Sequence, residues 1–213
     1  MTPGVRKFVL TAHVVSSVGW LGAVAAFLVL SIAGLTSRNT GIVRGSYVAM
    51  NLVGLFMIVP LSLAALLTGV IQGLGTQWGL FRYYWVVTKL GLTIAATGLL
   101  LLHQFTAVAE AARRALGAGA RELPNVGGVG PQLVFDSAAA IVLLLVTTSL
   151  SVYKPWGRTI YGRRVGDERV PSPTTVAADV PLPLGLRVFL AMVGVIIAVI
   201  LVVHLAGGGL GHH

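Results

Sequence analysis

From Phe8 to Ser37 the chain carries thirty consecutive residues without Lys, Arg, Asp or Glu, and four further uncharged runs follow at 45–81, 90–109, 137–153 and 188–213. Few folds are open to such a chain. Apolar runs of this length find their solvent in lipid, and in lipid every backbone N–H and C=O must be bonded inside the protein. Helices and closed barrels are the two solutions. A barrel needs strands that alternate apolar with polar residues, and these runs are continuous. The expectation is an all-α fold, a five-helix transmembrane bundle forming one integral membrane domain over 1–213, with helices at about 8–35, 47–74, 85–109, 133–153 and 185–206.

The net charge of +9 invites a nucleic-acid reading. The cations, however, sit in segments beside the helices and lack the clustered aromatics of a base-stacking surface, so no nucleic-acid partner is expected. Membrane topology accounts for them. Arg6, Lys7, Arg82, Lys154, Arg158, Arg163, Arg164, Arg169 and Arg187 fall on one side of the predicted helices, and Arg38, Arg44, Arg113, Arg114 and Arg121 on the other. The positive-inside bias then puts the N-terminus in the cytoplasm and the C-terminus outside. The segment 154–184 is basic at its start and broken by Pro171, Pro173, Pro181 and Pro183, so it is expected to be irregular and to meet anionic lipid headgroups.

Cysteine is absent, which removes disulfides, thiolate metal sites and c-type haem attachment. Arg6 and Lys7 ahead of an apolar run resemble a signal peptide, but the run far exceeds the usual length of about 7–15 residues, so a retained first helix is expected. Pro60 should kink the second helix, with Ser62 placed to re-satisfy the freed carbonyl. Trp78, Phe81, Tyr83, Tyr84 and Trp85 have the composition of an interfacial belt. Gly127, Gly128 and Gly130 follow no strand and so form no nucleotide fingerprint.

Ionisable groups inside the apolar runs are expensive there and are candidate functional groups by default. Lys89 and His103 are fourteen residues apart, close to four helical turns, so they share one face about 21 Å apart along the axis. They mark two levels in the membrane. Helices 1, 3 and 5 run in the same direction, which puts His13 at the level of Lys89 and His204 at the level of His103. Asp136, at the start of antiparallel helix 4, falls at the His103 level and can orient a histidine. His13, Trp20 and Phe27 recur every seven residues on helix 1, and small residues such as Gly19, Gly22 and Ala26 allow close helix approach.

A neutral imidazole is a good axial ligand for haem iron, and ligands at one depth on facing helices can hold the ring edge-on in a bundle. The candidate cofactor-binding and haem-iron residues are therefore His13 with Lys89, whose neutral amine can also ligate iron, and His103 with His204. Histidine near a membrane helix end also serves as an ordinary packing group, and lysine there can snorkel to the interface. A non-enzymatic scaffold or subunit is accordingly the alternative function, with ion or copper transport behind it. Transport needs more soft ligands at one depth than Met50, Met57 and Met192 supply.

The spacing of His13 and Trp20, together with Trp85 and Lys89-Leu90, resembles the HemJ-type protoporphyrinogen oxidase family, membrane proteins that bind haem b. By that likeness His13 and Lys89 correspond to the family's essential histidine and lysine. The run from His13 through Trp20-Leu21-Gly22, with Trp78-Gly79-Leu80-Phe81 and Tyr84-Trp85, is more similar to an uncharacterised family of predicted bacterial integral membrane proteins. A similar His and Trp-Leu-Gly first helix occurs in the copper-resistance D family. The likeness covers helices 1 to 3. Phe27 to Leu30 are wholly apolar where HemJ-type proteins carry an arginine and tyrosines, so the resemblance implies haem b more than oxidase chemistry. It also implies a bacterial inner-membrane location, electron transfer or redox sensing, and a membrane redox partner or a homo-oligomer.

Overall fold

In the computed structural model, residues 1–75, 79–119, 122–153 and 157–159 are described. They form four helices long and apolar enough to cross a membrane: α1 (Pro3–Thr36), α2 (Thr40–Gly75), α3 (Tyr84–Gly117) and α4 (Val129–Tyr153). No strand ladder occurs among the described residues; Tyr83 and Arg158 form one isolated antiparallel bridge. The expected fifth helix, 185–206, and the segment 154–184 apart from 157–159 lie outside the described residues.

Each helix runs past its expected bounds, for local reasons. Pro3 opens α1 at a position that needs no N–H, and Thr2 caps it by accepting from the Val5 amide. Asn39 starts α2 at Thr40, seven residues before the expected 47, because its side-chain oxygen accepts from both the Gly41 and Ile42 amides. At the far end of α3, Glu110 pairs with Arg113 and Arg114 at helical spacing and carries the helix to Gly117 rather than 109. Pro131 stands inside the first turn of α4, where its missing amide hydrogen costs nothing.

Helices α2 and α3 each contain one wide turn, Gly54–Ile58 and Gln104–Val108. The first lies just before Pro60, and the Val59 amide there bonds back to Gly54 O. Ser62 does not reach the carbonyl that Pro60 leaves free; it donates to Val59 O at 2.8 Å, since a helical serine reaches only three or four residues back.

Short connections make the bundle run up and down, so that His13 meets α2 at Ala65 and Thr68 while Gly34 meets it at Tyr47. Helix α1 packs on α2 and α4, and α3 packs on the same two, which sets α1 and α3 diagonally across the core. The burial pattern suits lipid. Val15, Val18, Phe56, Leu67 and Phe105 face outward, while Ser31, Ser46, Ser62, Gln104 and Thr147 are buried. A water-soluble bundle would show the reverse.

Candidate functional site

Two polar levels interrupt the apolar interior. At the first, each of the four helices supplies a group. Gly69 of α2 leaves the space that the His13 ring occupies: a Cβ there would stand 3.2 Å from His13 Cε1. His13 Nδ1 lies 3.0 Å from Ala65 O and 3.1 Å from Thr68 Oγ1. A carbonyl oxygen can only accept, so Nδ1 carries the proton, and Nε2 is left with its lone pair directed at Lys89. Lys89 Nζ stands 3.5 Å from that lone pair and donates at 2.6 Å to Ser151 Oγ of α4. Ser151 in turn donates to Thr147 O. Lys89 thus donates in two directions, to His13 of α1 and to Ser151 of α4, and His13 donates onward to Ala65 O of α2.

The second level lies near the opposite end. His103 Nε2 stands 3.1 Å from Asp136 Oδ2, in ion-pair range, although the contact lacks the alignment of a hydrogen bond. Beside it, Gln104 Nε2 donates to Asn51 O at 3.2 Å and to Asn51 Oδ1 at 3.0 Å. Its amide lies against Gly54, where a Cβ would collide with it. Two wide helical turns thus face one another across an amide bridge, and such turns recur at functional sites. Trp20 lines the adjoining cavity, and its indole N–H has no hydrogen-bond partner among the described residues.

The residues expected from the sequence divide accordingly. His13 and Lys89 are brought together, diagonally, at one level. His103 meets Asp136, while His204 lies outside the described residues. Sequence reasoning passed over Ser151, Thr68, Gln104 and Asn51. The signal was there for the last two, since an amide side chain in an apolar span needs a partner as surely as a charge does. Arg44 was read only as a topology cation. Its guanidinium instead donates to Ala115 O, Ala118 O and Gly119 O, where it closes the C-terminal end of α3.

Among the described residues no group of three or more His, Asp or Glu side chains is placed to hold a metal ion. The chemistry open to the first level is that of two facing nitrogen donors. With Nδ1 held by a backbone carbonyl, His13 has the tautomer and the outer-shell support of a metal-ligating histidine. His13 and Lys89 supply two nitrogen donors of the kind a haem iron would take. Compared with family models, curated proteins and solved structures, the chain has no match.

Proposed function

We propose that the chain is a multi-pass protein of the bacterial inner membrane, N-terminus cytoplasmic, that holds b-type haem between His13 and Lys89 and serves electron transfer or redox sensing. One observation carries this reading: an unprotonated imidazole nitrogen and an amine face each other at 3.5 Å across the bundle diagonal, each oriented by a neighbouring helix. Haem would supply one-electron chemistry. The protein's part is to orient His13 through Ala65 and Thr68, to orient Lys89 through Ser151, and to keep water away with the surrounding apolar helices. A membrane redox partner or a second copy would complete the electron path. Anionic headgroups would meet the segment 154–184.

The full chain, purified in mild detergent after haem-replete expression, is expected to show a Soret band. His13→Ala should abolish it, and Lys89→Met should shift it by changing the axial ligand. A wild-type protein without the band overturns the reading.

The same contacts also support a second reading, a non-enzymatic scaffold. His13, Lys89 and their partners tie all four helices at one level, as a structural clasp would. In that case His13→Leu with Lys89→Met, apolar and close in volume, leaves the cellular phenotype unchanged while lowering helix-packing stability.

A further inference from the structure

A cavity of about 110 Å³ lies between α1, α3 and α4. Its nearer layer, Trp20, Ala96 and Leu144, stands seven residues along each helix from His13, Lys89 and Ser151, about 10 Å away from that level. The cavity therefore belongs to the other half of the bundle and touches neither His13 nor Lys89, while His103 is part of its lining. Its lining is almost wholly apolar. The inner wall of Trp20, Val24 and Phe27 is buried, whereas Ala96, Leu99, Ala139 and Leu143 are partly exposed. The opening thus lies between α3 and α4, towards the acyl chains.

At about 110 Å³ the space is about three-quarters of the roughly 150 Å³ that admits benzene, and its opening towards the acyl chains leaves room for the remainder of a single six-membered ring. Its polar requirements are specific. Among the described residues the Trp20 indole N–H has no acceptor and neither carboxylate oxygen of Asp136 accepts a hydrogen bond, although His103 stands 3.1 Å from one of them in ion-pair range. Both residues belong to the lining of the cavity, and their polar atoms are buried. A ring hydroxyl answers either: its lone pair accepts from an indole, and its proton goes to a carboxylate.

We propose that this cavity binds the head of a membrane-dissolved quinol, a single hydroxylated ring seated against Trp20 and Asp136, with its apolar tail leaving between α3 and α4. The site goes beyond the haem reading and stands without it. Equilibrium binding of a decyl-tailed benzoquinol to the full chain in phosphatidylcholine nanodiscs tests it, with decylbenzene as the hydroxyl-free control. Saturable binding is expected in the wild type and should be lost when Ala140→Leu fills the space. Trp20→Phe keeps the ring but removes the N–H, and Asp136→Asn keeps the shape but removes the charge. Each should weaken quinol binding about three- to tenfold, the range for one hydrogen bond, and leave decylbenzene unaffected. Absence of saturable wild-type binding, undiminished binding in Ala140→Leu, or decylbenzene bound as tightly as the quinol overturns the proposal. Should Ala140→Leu not fold, Ala96→Leu fills the same cavity from α3.

Discussion

Gly69 decides whether His13 can stand where it does. With a Cβ at that position already 3.2 Å from the imidazole, a branched side chain would push the ring off Ala65 O and away from Lys89. Gly69→Val should therefore cost about 1–3 kcal/mol through overpacking and also weaken any pigment bound at His13. The two effects are read separately, as an unfolding midpoint in mixed micelles and as Soret absorbance per unit protein. A second glycine has a comparable role at the other level, where Gly54 gives its side-chain space to the Gln104 amide. Gly54→Ala should displace that amide, break its bonds to Asn51 and lower the unfolding midpoint. An unchanged midpoint would show that the amide bridge is incidental. Both glycines serve close approach; neither adopts a positive φ.

At the scale of elements, α2 and α3 are joined by the facing wide turns and the Asn51–Gln104 bridge. Interhelical hydrogen bonds in membranes couple by about 0.6 kcal/mol on average and by up to about 1.7. A double-mutant cycle with Asn51→Ala and Gln104→Ala should fall within that range, and zero coupling would mean that each side chain finds other partners when its mate is removed. Arg44 offers a larger effect. Its three bonds to the carbonyls that end α3 combine hydrogen bonding with a charge at the negative end of a helix dipole, so Arg44→Ala should cost about 1–2 kcal/mol. Arg44→Lys should recover only part of this, because an ammonium cannot spread its donors over three carbonyls as a guanidinium does. Hydrogen exchange at 115–119 would report the fraying directly.

Over the whole molecule, the proposed orientation follows from where the cations lie. The absence of native cysteine makes it directly testable, since any single cysteine introduced is the only thiol in the chain. In intact cells a membrane-impermeant maleimide should label Asn39→Cys and Asn125→Cys, and should label Thr2→Cys only after permeabilisation. The opposite pattern would reverse the topology. The four-helix ring also means that the His13–Lys89 contact spans a diagonal. Lys89→Met alone should therefore destabilise the bundle more than the combined His13→Leu and Lys89→Met change, because the single variant leaves a half-buried imidazole nitrogen without its Lys89 partner.

Much of the fold was legible in the chain alone. Apolar length without charge specified helices, and helical rise placed Lys89 and His103 at two separate levels. Helix ends were less legible. Asn39 as a cap and Arg44 as a closing group act through hydrogen bonds to backbone atoms, and the Arg44 partners lie more than seventy residues along the chain. The sequence by itself determined the apolar character of the spans, the helical class and the separation of Lys89 from His103 along their helix, because these depend on composition and on the fixed rise of a helix. Only the tertiary structure decided which side chains meet. Azimuth in a bundle is set by packing against the other helices, and that packing directed His13 to Lys89 across the diagonal, supplied Thr68 and Ser151 as their supports, and left a cavity of about 110 Å³ beside Trp20 and Asp136.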